Sequence, residues 1–398
     1  MTVIFLIIGI FVTLGYAALI YSYANGLRKS GNGFYNSESL PPDFHHSLPY
    51  VSVIIAARNE EKNIEECLRS LGRQHYPVSH YEIIIVDDHS EDMTTDIINR
   101  LKAVLDLEVI LVENDDNYGK KAAIKKGILS SRGKFLLFTD ADCRVSPDWI
   151  LSMTECFIIN KPVFITGPVM LSSSKGFFNA FQRLEFSSLI ASTAGSIAVK
   201  KPVMANGANM AFSKPHYLKM LEEKKEVMGE EFTSGDDVFT LFSVKQHFGT
   251  ERITFLNSLK GAVFTSPKEN LKALLEQRFR WVSKSRGYKD KDAILTAVLV
   301  FGCNFMILLM LLAGLYNICL SLFNATPFKA EWFVSAVILL AVKSMVDYYL
   351  LIIYVKRYNQ TQLLKWFPVA VVPVMLFTVI SAILGNLVSV KWKKRRVN

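Results

Sequence analysis

Apolar positions fall into two regimes along the chain. Four stretches are almost continuously apolar: about 3–23, 293–320, 332–355 and 366–390. Each is long enough to cross a hydrocarbon layer of about 30 Å as a helix rising about 1.5 Å per residue. Between the first and second, apolar runs are short and alternate with mixed, helix-like segments. YVSVIIAA (50–57), YEIIIVDD (81–88), LEVILVE (107–113) and KFLLFTDAD (134–142) read as strands. Helical patterns lie at about 60–73, 92–105 and 120–131. Unbroken apolar strands alternating with helices predict a mostly parallel α/β sheet covered on both faces.

In such sheets ligands collect beyond the carboxyl ends of the strands. The polar residues there are Arg58, Asn59 and Glu60; Asp87, Asp88, His89 and Ser90; and Asp140 with Asp142. They are expected to share one rim. No GxGxxG follows the first strand and no GxxxxGK[ST] occurs, which argues against a dinucleotide enzyme or a P-loop NTPase. HExxH and GxSxG are also absent, which disfavours a zinc protease and a serine hydrolase.

Charge sharpens the picture. Lys and Arg outnumber Asp and Glu 45 to 36, a net +9. Arg28 and Lys29 follow the first apolar stretch, so its C-terminal end and the domain after it belong in the cytosol. The tail residues Lys391, Lys393, Lys394, Arg395 and Arg396 favour the same side. Four alternating spans would put that tail outside. Pro368 and Pro373 offer another course for 366–390, a re-entrant segment, and both stay open. Lys343 and Asp347, one turn apart in the third stretch, can pair, either toward the bundle or near an interface. No basic arm suggests nucleic acid. Five cysteines without a CxxC pair suit a reducing compartment and structural roles.

Several side chains carry candidate chemistry. Asp140 and Asp142, two apart in an extended segment, would face one side and hold a hard divalent cation; a plain polar loop is the alternative. Asp88 can accept from a base or ribose, or cap the helix after it together with Asp87. Lys120 after Gly119 can meet phosphate, or simply be solvated. Asp236 and Asp237 open an apolar helix, where a carboxylate stays ionised and can act as a general base, or cap the helix. Gln277 and Trp281 share a helix face with Arg280 beside them; Arg can fork onto a diphosphate. The same segment also reads as an amphipathic interfacial helix. Gly207, Ala208 and Asn209 would admit a ligand close to the backbone.

Taken in order, VSVIIAARNEEKNIEECLRSL, IIIVDDHSED, YGKKAAIKKGI, TDADCRVSPDWI, GDDVF and QRFRW resemble the membrane-bound family 2 glycosyltransferases, over roughly residues 50–285. The resemblance implies a GT-A (nucleotide-diphospho-sugar transferase) domain and Mg²⁺ or Mn²⁺ as cofactor. It implies that Ala57, Glu60, Asp88 and Lys120 line the nucleotide pocket, that Asp140 contacts the nucleotide, and that Asp142 binds the metal. Asp237 would be the base, and Gln277, Arg280 and Trp281 would cap the donor. Asp236 stands where the family has Glu, so the two aspartates can exchange roles. Ala56, Ala57 and Arg58 replace a more usual Pro-Thr-Tyr in base recognition.

The expected layout is a transmembrane helix (1–25), a linker (26–47), a cytosolic catalytic domain (48–265), an interfacial helix bearing QxxRW (266–291), transmembrane helices (292–390) and a basic tail (391–398). The expected activity is inverting transfer from a nucleotide-sugar, UDP-linked, to a membrane lipid at the cytosolic face of a bacterial inner membrane. A processive polysaccharide synthase or a non-catalytic scaffold are the alternatives. Partners would be the donor, a lipid or glycan acceptor and the bilayer, with no nucleic acid.

Overall fold

The structure is a computed structural model that describes residues 2–31, 48–114, 118–223, 227–229, 231–232, 234–324, 330–388, 390–392 and 395–397. The expected linker falls largely outside these, as do Lys393, Lys394 and Asn398 of the tail.

A long helix, α1 (Thr2–Lys29), leads into the sheet domain. There β1 (Val51–Ala57), α2 (Ile64–Leu71), β2 (Tyr81–Asp87), α3 (Thr94–Val104), β3 (Val109–Glu113), α4 (Lys120–Ser130) and β4 (Phe135–Phe138) alternate as the pattern predicts. Next come β5 (Cys143–Val145), α5 (Trp149–Asn160), β6 (Phe164–Thr166), β7 (Val169–Leu171), α6 (Phe177–Ala198), β8 (Met210–Ser213), α7 (Lys214–Glu222), α8 (Asp236–Phe248), β9 (Ile253–Phe255) and β10 (Val263–Thr265). The chain ends with α9 (Leu271–Ser283), α10 (Lys291–Asn324), α11 (Glu331–Arg357), α12 (Phe367–Leu387) and a small hairpin, β11 (Val390–Trp392) and β12 (Arg395–Val397).

Seven strands form the main sheet in the order β3-β2-β1-β4-β8-β6-β9. The β3-β2-β1-β4 half is parallel. Its strands are buried along their length in β1 and β2, which is why they carry no alternation. β8 runs antiparallel to both neighbours, so the sheet is mixed rather than wholly parallel. A second sheet, β5-β10-β7, flanks the outer rim. Helix α2 shows why the flanking helices form. Ile64, Cys67, Leu68 and Leu71 face the core, while Glu65, Glu66 and Arg69 stay outside.

One expectation needs correcting. The strand KFLLFTDAD stops at Phe138, and Asp140 and Asp142 lie on the turn that follows, not in extended chain. Their carboxylates still come together, with ligand atoms within 4.8 Å of one another, while Ala141 between them is buried. β4 pairs with β1 only as far as Phe138, so the aspartates lie free of the ladder.

α1, α10, α11 and the segment 361–387 are four helices long and apolar enough to cross a membrane. They pack as a bundle of α1, α10 and α11, with α12 laid against α9 and α10. Lys343 and Asp347 do pair (2.5 Å), and the Tyr16 hydroxyl of α1 donates to the other Asp347 oxygen (2.5 Å). Cys67, Cys143, Cys156 and Cys303 are buried free thiols and Cys319 is exposed.

Candidate active site

The carboxyl ends of β1, β2 and β4 meet the first turn of α8 and the inner face of α9 around one cavity of about 1240 Å³. Ala57, Glu60, Asp88, Lys120, Asp140, Asp142, Asp236, Asp237, Gln277, Arg280 and Trp281 all line it. Residues spread over more than two hundred positions in the chain thus share one chamber.

The strand ends are held by backbone that only a rigid frame sustains. Asn59 (φ 50°) and His89 (φ 62°) sit in the left-handed region just after β1 and β2. Asp87 turns back to accept from the Ser90 amide (3.0 Å), while Asp88 faces the cavity and accepts from Asn114 Nδ2 and the Gly119 amide, both at 2.9 Å. The two aspartates thus divide capping and lining between them. Gly119 has φ 101°, a conformation that leaves Lys120 as the first residue of α4.

Lys120 is the central cation. Its Nζ lies 2.6 Å from Asp140 Oδ1 and 3.6 Å from Asp236 Oδ2. Burial alone would lower its pKa, but Asp140 and Asp236 outweigh that and raise it, so the ammonium is permanently charged. Arg280 lies in the field of Asp140, Asp236, Asp237 and Asp142; burial, the larger influence, lowers its pKa from the ordinary value while the carboxylates oppose it. Asp237 accepts from the Gly207 amide (3.2 Å) and from its own helix at Val238 (2.8 Å). Gly207 passes close to this cluster: a Cβ on it would stand 3.3 Å from Asp236 Oδ2 and 3.4 Å from Lys120 Nζ.

Two residues escaped the sequence reading. Lys284, one turn past Arg280, reaches Asp237 Oδ1 at 3.1 Å, with both side chains largely buried (12% and 15% exposed). Burial pushes the Asp237 carboxyl up, but Lys284 and then Lys120 pull it below its usual range. The Lys284 ammonium is correspondingly raised by Asp237 against the effect of burial. A lysine three places beyond QxxRW was legible only as part of a basic stretch. Arg278, the second residue of QRFRW, forms a buried ion pair with Glu185 of α6, and its guanidinium lies 4.2 Å from the Trp281 ring. Asn209 turned out to be a cross-link rather than a ligand contact: it is fully buried, accepts from Trp149 Nε1 and donates to the Pro168 and Gly261 carbonyls.

Asp140, Asp142 and Cys143 place ligand atoms within 4.8 Å of one another. The two carboxylates supply hard oxygen donors, Asp142 is exposed, and only Cys143 is buried; this suits a divalent cation completed by phosphate oxygens and water.

Residues 52–218 match the glycosyl transferase family 2 profile. The chain carries a family 2 glycosyltransferase domain. Its fold is GT-A: a mannosyltransferase from Pyrobaculum calidifontis, solved in complex with GDP-Man and Mn²⁺, superposes with a TM-score of 0.61 at 18% identity, covering 96% of this chain and 99% of that one. Glycosyltransferase AglE of Haloferax volcanii is 41% identical over 104 residues, 26% of this chain and 34% of that protein. A beta-monoglucosyldiacylglycerol synthase of Trichormus variabilis is 32% identical over 133 residues, 33% of this chain and 28% of that protein. The chain therefore spans about a third or less of these relatives.

Proposed function

We propose that this protein is an inverting, metal-dependent glycosyltransferase that moves a sugar from a nucleotide-sugar onto a membrane lipid at the cytosolic face of the plasma membrane. One observation carries the reading. The cavity that holds Asp88, Asp140, Asp142, Asp236 and Asp237 continues between α6, α10 and α12 to Phe301, Asn304 and Leu350 within the apolar helices. A water-soluble donor and a membrane-held acceptor can therefore meet in one chamber. The glycerolipid synthase named above adds support for a lipid acceptor.

In this reading Ala57, Glu60 and Asp88 receive the nucleoside, while Lys120 and Arg280 face the diphosphate with Gln277 and Trp281 beside them. Asp142 and Asp140 would hold Mg²⁺ or Mn²⁺, which supplies positive charge to the diphosphate when bound. Lys120 and Arg280 are preorganised cations recessed in the cavity, where fixed charges stabilise a departing anion. Asp237 takes the proton of the acceptor hydroxyl as its oxygen bonds to the anomeric carbon. The bond to the diphosphate breaks with its electron pair, and a single displacement inverts the centre. Asp236, bound to Lys120, keeps that cation aimed at the cavity.

The test is to supply membranes containing the protein with labelled nucleotide-sugars and to separate lipid from polymer fractions. One sugar on a lipid is expected. A long glycan would favour the processive synthase, and no metal-dependent turnover of any donor would overturn the enzyme reading. Asp237→Asn should lower transfer at least about 100-fold, the scale of general-base catalysis, with donor binding retained.

A further inference from the structure

By length and composition α12 passes as a fourth span. Its neighbours place it differently. Where α11 ends, Arg357 donates to the Leu27 carbonyl at the end of α1 (3.0 Å), and the Tyr358 hydroxyl meets Asn257 of the sheet domain (3.2 Å). By residue 358 the chain is therefore back on the catalytic side. After α12, β11 runs beside α9, again on the catalytic side. A segment that leaves from and returns to one side crosses an even number of times, and a single helix cannot cross twice.

The side contacts agree along its whole length. Trp366 packs at a tilt against Phe177 at the start of α6 (5.8 Å between ring centres), and Phe377 meets Phe181 edge-on (5.6 Å) and Arg278 (5.9 Å). Gly385 is pressed against Val282 and Phe279; a Cβ there would lie 2.8 Å from Val282 Cβ. Asn386 accepts from Arg286 (3.3 Å). Phe377 lies by Leu274 and Gly385 by Val282, so the two helices run side by side in the same direction. α9 carries Lys272, Glu276, Arg278 and Arg280 and delivers Arg280 into the polar cavity, so it cannot lie across hydrocarbon. α12 lies at the same depth.

We infer that α12 lies in the plane of the near leaflet on top of α9, that the chain crosses the bilayer three times through α1, α10 and α11, and that the C-terminus is on the catalytic side. The exposed face of α12 then meets acyl chains. Val369, Val372, Leu376, Ile380, Ile383 and Leu387 form one exposed stripe at three- and four-residue spacing, with Ile383 and Leu387 also bordering the cavity. Thr378, Ser381 and Asn386 line the cavity. This placement rests on the three spans alone and stands whatever the donor or acceptor is.

Single cysteines in the full chain, with Cys319 replaced by Ser, test it in sealed vesicles with a membrane-impermeant maleimide. Ser79→Cys marks the sheet domain and Thr326→Cys the segment that links α10 to α11 in the sequence. A cysteine appended after Asn398 should label together with Ser79→Cys and opposite to Thr326→Cys; labelling together with Thr326→Cys overturns the inference. A second measurement does not depend on the tail. Fluorophores at Val369, Leu376 and Ile383 should be quenched by nitroxide lipids at one common depth. A crossing helix would instead spread them over about 21 Å, fourteen residues at about 1.5 Å each, and that result would refute the in-plane placement.

Discussion

As the proposed base, Asp237 can act only while it is ionised, and its surroundings decide that. Burial works against the charge, and Lys284, with Lys120 behind it, reverses the balance. Asp236, Arg280 and Tyr288 are the other charged or titratable groups within reach. The sign is therefore set: the folded pKa is below the usual carboxylate value, and the acid limb of the rate profile lies low. Lys284→Ala removes the largest opposing charge, so the Asp237 pKa rises and the acid limb of kcat/KM moves to higher pH. Lys284→Arg should restore the limb, which a merely structural lesion would not do. A pH profile of the two variants checks this; an unmoved acid limb in Lys284→Ala would detach Lys284 from the base. The aspartates were legible because they end apolar strands or open an apolar helix. Lys284 was not, since nothing in RWVSKSRG separates a cation aimed inward from the basic flank of an interfacial helix.

Among the elements, α9 does the joining. It begins with an Asn270 cap that accepts from the Ala273 amide, then sends Gln277 and Arg280 to the cavity and Arg278 back to Glu185 of α6. With side-chain exposures of 7% and 11%, that pair is interior. Breaking one partner of a buried pair typically costs about 3–5 kcal/mol, whereas replacing both by apolar groups is near neutral. Arg278→Met should accordingly lower thermal stability in detergent, and Arg278→Met with Glu185→Leu should recover most of it. If the single variant melts as the parent does, α9 is held by its apolar contacts alone. Helices α1, α10 and α11 were readable from apolar run length to within a few residues. The end of β4 was not: Thr139 to Asp142 keep the composition of a strand end, and only the loss of a partner beyond Phe138 stops the ladder. Nor could periodicity reveal that α12 lies along α9, because an apolar helix in the plane of a leaflet and one across it have the same composition.

At the scale of the whole molecule, the sheet domain supplies the polar end of a chamber whose other end lies among helices. Along α10 the lining runs from Ala293 to Asn304, and Lys343, Asp347 and Tyr16 join it at the far end. Eleven steps of about 1.5 Å make roughly 16 Å of depth, about half of a hydrocarbon layer of about 30 Å. The Lys343–Asp347 pair and the Tyr16 hydroxyl satisfy one another there, which is how an ionic pair persists at such depth. Between the two ends the lining includes the small residues Ala293, Ala297 and Ala382 as well as Phe301 and Phe377. A lipid acceptor needs that width, whereas a donor bound beside Asp88 and Asp140 does not. Ala297→Trp adds bulk to this part of the lining, on α10 rather than on the elements that carry Asp88, Asp140, Asp142, Asp236 and Asp237. Transfer to lipid should fall at least about 10-fold, while donor binding and slow donor hydrolysis by water stay near the parent level, since Asp237 and Arg280 are unaltered. Equal loss of both activities would mean that the substitution disturbs the polar end, and unchanged transfer would mean that the acceptor reaches Asp237 by another path.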